Sequence, residues 1–230
     1  MIESLEHSVY FGVFLSLGTY GIGMLLKKKL RSPLCNPLLI SVVLCVLVLL
    51  VLGIDYDTYY EGAKYISYLL TPATVCLAIP LYRQLELLKK NWRAILAGIS
   101  CGVLASLGCV LVLSVVLGLD HQMYVTLLPK SITTAIGMGV SEEMGGVTTI
   151  TVAVIIVTGI LGAVLAEAVC KLFHIEEPIA KGTALGTSAH AVGTSKAMEM
   201  GEIEGAMSSL SIAVAGLLTV VGASFFAQIH

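Results

Sequence analysis

Charge is what this sequence has least of. Asp, Glu, Lys and Arg make up 12% of its 230 residues, about half the share of an ordinary soluble chain, against 57% apolar residues. That scarcity excludes a water-soluble domain and leaves little chain for one outside a bilayer. Neither sign is in excess. With 13 basic and 15 acidic residues the net charge is −2, without the basic footprint of a nucleic-acid-binding protein, so no nucleic-acid partner is expected. The six cysteines form no CxxC pair and sit mostly inside apolar runs, which reads as buried, inert thiols. No second His or Cys stands at ligand spacing beside His190, and no nucleophile, base and orienting group form a set. Neither a metal, nor any other cofactor, nor an enzyme activity is expected. The opening MIESLEH lacks the basic region of a cleavable signal peptide, so the first apolar run reads as a retained span.

What is present is uncharged length. Residues 8–26, 37–54, 65–82, 94–119, 144–166 and 205–229 contain no Asp, Glu, Lys or Arg, and a helix needs about 20 mostly apolar residues to cross a bilayer. In hydrocarbon every backbone N–H and C=O must be paired within the segment, and no run alternates as a barrel strand would. An all-α integral membrane bundle of about six transmembrane helices follows. Lys27, Lys28, Lys29 and Arg31 cluster in one loop, and Arg83, Lys89, Lys90 and Arg93 in another, while the intervening loop carries Asp55, Asp57 and Glu61. Lys and Arg stay on the cytoplasmic side, so both clusters are expected inside and the N-terminus outside.

The chain also resembles itself. Thr148–Val154 and Ser208–Val214 agree in chemical class at all positions with an offset of 60, and the same offset sets Glu142 on Glu202 and Thr134 on Thr194. Chance likeness between small-residue helices is the alternative. Read as a repeat, the chain is one membrane domain with a four-span half (1–120) and a second half (121–230) of two units, 123–170 and 182–229. Each unit is a polar, Gly-rich stretch followed by one span. If the polar stretches are re-entrant hairpins, the second unit is inverted relative to the first, as in many transporters. If both cross fully, the bundle has eight spans, with Lys196 and Glu199 buried inside it.

Two polar stretches could carry chemistry. In 128–136, Pro129, Lys130, Ser131, Thr133 and Thr134 place a helix break, a cation and hydroxyls between apolar flanks. A helix starting there would offer free N–H groups to an anion; alternatively Lys130 snorkels to the surface and the hydroxyls bond back to their helix. In 182–196, Thr187, Ser188, His190, Thr194 and Lys196 accompany three glycines, at 182, 186 and 193. His190 and Lys196 are too far apart for one helical face, so a site holding both needs a break between them, for which Gly193 is the natural place. His190 touches substrate, relays a proton or is structural. Pro72 and Pro80 break the third run near the carbonyls of residues 68 and 76. Glu142, Glu143, Glu199, Glu202 and Glu204 border the hairpins as solvated rims, and Glu167 sits at the interface.

At these residues the chain resembles the LrgB/CidB family of bacterial membrane proteins, whose plant relatives belong to the plastid glycolate/glycerate translocator. The matching stretches are Leu70-Thr-Pro-Ala-Thr-Val-Cys-Leu-Ala-Ile-Pro-Leu-Tyr82, Leu128-Pro-Lys-Ser-Ile-Thr-Thr134 and Gly186-Thr-Ser-Ala-His-Ala-Val-Gly-Thr-Ser-Lys-Ala197. The family continues Thr-Thr-Pro where this chain has Ala135, and has Ala-Ser where this chain has Ser188-Ala189. The resemblance implies two functions. One is an antiholin-like modulator of murein hydrolase activity and autolysis, acting as a pore or with a smaller LrgA/CidA-type membrane partner. The other is carriage of small carboxylates such as glycolate, glycerate or pyruvate across the bacterial plasma membrane. The residues favour the carrier, with Lys130 and Lys196 offsetting substrate charge, Ser131, Thr133, Thr134, Thr187, Ser188 and Thr194 donating hydrogen bonds, and His190 carrying a coupled proton. A homodimer would be ordinary for such a bundle.

Overall fold

The computed structural model describes residues 10–30 and 36–230, all of whose regular structure is helical. The expectations about MIESLEH, Arg31 and Cys35 lie outside the described residues. The described parts of the six apolar runs lie mostly on helix. Among the described residues four helices, Tyr56–Arg83, Leu85–Leu117, Thr148–Leu172 and Glu202–Phe226, are long and apolar enough to cross a membrane, rather than six, and Pro37–Leu52 is apolar but shorter. The protein is therefore a helical membrane protein. Its contacts divide it into two units, Met1–Cys76 and Leu77–His230.

The first unit contains α1 (Phe11–Leu30), α2 (Pro37–Leu52), α3 (Tyr56–Ser67) and α4 (Leu70–Cys76). Asn36 caps α2 by accepting from the N–H groups of Leu38 and Leu39, with Pro37 in the first turn where its missing N–H costs nothing, and Gly53 ends it at φ 68°. Small and hydroxylated residues pack α1 on its neighbours: Ser16 Oγ is 2.8 Å from Tyr59 Oη, and Thr19 Oγ1 is 2.9 Å from Ser41 Oγ. The helix is interrupted at residues 68–69, and α4 ends at Cys76, where Pro72 and Pro80 each deprive a carbonyl four residues earlier of its donor.

The second unit holds α5 (Ala78–Arg83), α6 (Leu85–Leu117), α7 (His121–Leu127), α8 (Thr134–Glu143), α9 (Thr148–Leu172), α10 (Pro178–Met200) and α11 (Glu202–Phe226). One face of α6 is buried at Ile95, Ile99, Val103, Leu107 and Val110, a spacing of one helical turn, against Tyr124, Val125, Leu128, Met207, Ala215 and Ala223. At 33 residues α6 is about 50 Å long, so its basic start at Lys89, Lys90 and Arg93 extends beyond a hydrocarbon core of about 30 Å.

Both polar stretches fold back on themselves. In the first, α7 descends, residues 128–133 turn, and α8 returns. Gln122 Nε2 donates to Gly145 O, the Val147 N–H donates to Thr126 Oγ1 at 2.8 Å, and Thr151 Oγ1 lies 2.9 Å from Thr126 O and 2.7 Å from Ser141 Oγ. In the second, His190 sits at φ 42°, ψ −131° within α10 and splits it into two limbs. Leu185 and Ala197 then share a small apolar cluster with Ala166, and Gly193 lies against the Leu185 carbonyl. Residues 185 and 197 would be about 18 Å apart along an unbroken helix. Both polar stretches are therefore broken and folded back rather than continuous helices.

The hairpins are also opposed. The open end of the first meets the start of α9 at Val147 and Thr151; the open end of the second meets its far end, at Ala166 and through Lys196 to Glu167. Their tips converge midway, where His190 Nε2 lies 3.0 Å from Ile155 O and Gly137 packs on the Ile155 side chain. Contacts obey the offset of 60 as well: Thr126 meets Thr151 in the first unit, and Gly186 meets Ser211 in the second.

Glycine is required where the second hairpin packs on α11, because a Cβ on Gly186 would overlap the backbone carbonyl of Ser208. Gly186→Ala is expected to destabilise the unit by about 1–3 kcal/mol, read as a lowered midpoint of thermal unfolding in detergent. An unchanged midpoint would mean that the hairpin and α11 are not held at this distance.

Candidate functional site

Where the hairpin tips meet, the second unit holds a half-open cavity of about 920 Å³. One wall is a face of α6 carrying Asn91, Ile95, Gly98, Gly102, Ser106 and Cys109. Opposite lie Thr183, Thr187 and Ser188 from the first limb of α10, with Thr158, Leu161, Gly162 and Leu165 from α9. Lys130 and Ser131, from the first hairpin's tip, close one end, and Glu177, just before α10, lines the other. The order along α6 sets the axis. Gly98 faces the Thr183 side chain and Gly102 the Thr187 side chain, while Ser106 Oγ lies 3.0 Å from Ser131 Oγ. The Lys130 end therefore lies at the first hairpin's turn, and the Glu177 end is where the second hairpin opens.

Lys130 Nζ donates to Ser131 Oγ at 3.0 Å, and no carboxylate pairs with it among the described residues. It is the one cation among the cavity's described lining residues. A cation held away from bulk water without an anion partner is costly and favours an anionic ligand. Thr183 adds a second unmet demand, since its hydroxyl is buried without a hydrogen-bond partner.

The nine residues expected at the site separate into two groups. Lys130, Ser131, Thr187 and Ser188 line the cavity. Thr133 and Thr134 begin α8 and do not. His190 is also outside the lining; its Nε2 must be the protonated nitrogen, because Ile155 O can only accept. Thr194 is spent on internal packing, with Oγ1 donating to His190 O at 3.0 Å and lying 2.7 Å from Ser208 Oγ. Lys196 is drawn away altogether, since its ammonium is 2.5 Å from Glu167 Oε1 and 3.5 Å from Glu199 Oε2. Of the expected breaks, Pro129 lies in the first hairpin's turn, whereas the second breaks at His190 rather than Gly193. The ring's bond to Ile155 anchors the turn at residue 190, and Gly193 is needed three residues on for close packing of limb on limb.

Two other expectations change. Glu204 is buried, not a solvated rim: its carboxylate turns back to Gly201 at the start of α11, where the unpaired N–H groups favour negative charge. The described cysteines are not buried either; Cys76, Cys101 and Cys109 are exposed, and Cys109 lines the cavity. The α6 wall was missed because it lies within an apolar run, although Gly98, Gly102, Ala105, Ser106 and Cys109 already form a small-residue stripe at helical spacing.

Since Lys196 is neutralised by two carboxylates, Lys196→Gln is expected to loosen the open end of the second hairpin, read as a lowered midpoint of thermal unfolding in detergent. An unchanged midpoint would mean that these ion pairs do not hold that end.

Residues 16–229 match the LrgB-like family. Curated relatives from Bacillus mycoides strain KBAB4 and Bacillus cereus strain B4264 are each 41% identical over 213 residues, covering 92% of this chain and 93% of theirs. A relative from Bacillus anthracis strain CDC 684 has the same identity and coverage. All three bear the name antiholin-like protein LrgB. No solved structure matches the chain. With nearly its whole length aligned to the family, the chain belongs to the LrgB family.

Proposed function

We propose that this protein is an antiholin-like membrane protein whose effect on cell-wall lysis rests on carriage of small monocarboxylates. The names of its relatives support the first half of that reading. The second half rests on one observation: an unpaired lysine closing a cavity between two opposed hairpins. A pore formed by assembly needs amphipathic spans but neither inverted hairpins nor a cation at a hairpin's turn. Carriers place their sites at the interface of such repeats, where irregular backbone is tolerated because it lines a cavity. Altered flux of acids or protons would then change autolysis indirectly. Glycolate, glycerate and pyruvate fit the single positive charge.

The basic residues supply the orientation. Lys89, Lys90 and Arg93 begin α6, and Lys171 and Lys181 flank the open end of the second hairpin. With Lys and Arg retained inside, the cavity's Glu177 end faces the cytoplasm of a bacterial cell, in its plasma membrane, with the N-terminus outside. The chain acts as a non-enzymatic carrier without a cofactor, alone, as a homodimer or with a smaller LrgA/CidA-type partner.

The test is counterflow of labelled glycolate and pyruvate in liposomes holding the purified protein and a trapped dye. Saturable exchange without dye release is expected. Unsaturable loss of both label and dye would favour the second reading, a pore or partner-dependent antiholin assembly, which the relatives' names alone would also fit.

A further inference from the structure

The cavity is much larger than its expected cargo. At about 920 Å³ it lies near the upper end of sites that enclose drug-sized ligands, whereas a two- or three-carbon acid fills only a small part of such a space. Its polarity is also one-sided. Lys130 stands at one end and the carboxylate of Glu177 at the other, which disfavours a second anionic group on the ligand. Between them the hydroxyls are mostly committed to the protein: Thr187 Oγ1 donates to Thr183 O at 2.8 Å and Ser188 Oγ to Ala184 O at 2.7 Å. The methyl groups of Thr183 and Thr187 face Gly98 and Gly102 on α6. Leu161 and Leu165 from α9 and Ile179 from α10 complete an apolar stretch. From Ser188 to Glu177 the limb of α10 extends about 16 Å, room for a chain of several carbons behind a carboxylate on Lys130.

We infer that the cavity contains an acyl-tail subsite, so that the preferred substrates are monocarboxylates bearing an alkyl or branched side chain rather than the smallest acids. This deepens the carrier reading and rests on it. The head is held by Lys130. The tail lies along Leu161 and Leu165 towards the open end. Removing each methylene from water favours binding until the chain reaches the polar rim at Glu177 and Asn91.

The experiment uses the full-length protein in liposomes and measures inhibition of labelled glycolate exchange by straight-chain 2-hydroxy acids of two to six carbons. Trapped dye checks bilayer integrity. The inhibition constant is expected to fall about fourfold per added methylene, the transfer free energy of one CH₂ converted to an equilibrium ratio. Ala184→Phe, which narrows the cavity from an exposed position on the α10 limb, is expected to lower the preference for six carbons over two by at least tenfold. Combined Leu161→Ala and Leu165→Ala should lower it about as much by removing the apolar wall. Saturable glycolate exchange with inhibition that is flat or weaker as the chain lengthens overturns the tail subsite and leaves the carrier standing. Absence of saturable exchange and of competition by any acid overturns both. A chain-length preference identical in the wild type and in both variants also overturns the subsite, because the preference would then arise elsewhere.

Discussion

Lys130→Gln is expected to abolish most carboxylate uptake, at least tenfold and up to about a hundredfold, while the protein remains folded. A hydrogen bond to a charged group contributes about 1.5–3 kcal/mol, which corresponds to that range. Lys130 is the one cation among the described lining residues, and a carboxylate moved into a partly apolar cavity without it would be left unpaired. The substitution keeps a donor of similar length, so Ser131 is not left empty and the hairpin tip retains a partner. Folding should survive, because Lys130 makes no ion pair whose loss would strand a buried carboxylate among the described residues. Saturable exchange in liposomes and elution of a single folded species in detergent measure the two quantities separately. Wild-type exchange in Lys130→Gln would remove the proposed site.

The second large effect is expected at the other hairpin tip. His190 occupies the position 60 residues after Lys130, the repeat offset, yet the structure uses it differently. It is held at φ 42°, unfavourable for a residue with a side chain, while its ring reaches across to Ile155 O at 3.0 Å. Gly159 makes room for that ring, since a Cβ there would lie 2.7 Å from His190 Cε1 and 2.8 Å from Nε2. Gly159→Ala should therefore dislodge the ring without altering either His190 or the cavity lining, and His190→Leu should remove the donor directly. Each is expected to cost about 1–3 kcal/mol and to lower uptake about tenfold. His190→Gln, which keeps an N–H at similar reach, should recover much of it. Labelling of Cys109 by an anionic thiosulfonate, in a protein whose other cysteines are replaced, reports the shape of the cavity. Unchanged labelling and uptake in both Gly159→Ala and His190→Leu would show that the tip is held by other contacts.

How far the residues alone led can be judged at these two tips. The membrane class, the apolar helices and the two broken polar stretches followed from short-range properties: absence of charge over about 20 residues, clustering of Lys and Arg, and glycine where backbones must approach. The internal likeness at an offset of 60 was visible because similar residues recur there at the same spacing. Lys130 could be picked out because a lone cation in an apolar setting needs a partner wherever it lies.

Which polar residues share a site was decided by tertiary structure. Lys130 and Lys196 look alike in sequence, but only packing sets Glu167, 29 residues from Lys196, against its ammonium and leaves Lys130 facing a cavity. His190 and Gly193 were similarly ambiguous, because a break can form at a histidine only when a distant group, here Ile155 O, offsets the strain. The α6 wall carried no polar signal strong enough to stand out from a spanning helix. Its role comes from the opposite face presented by the second hairpin. By itself the sequence determined that this chain is a membrane bundle with two broken segments, because those properties are local. Only the fold decided that four of the nine expected site residues meet around one space, because that depends on contacts between segments far apart in the chain.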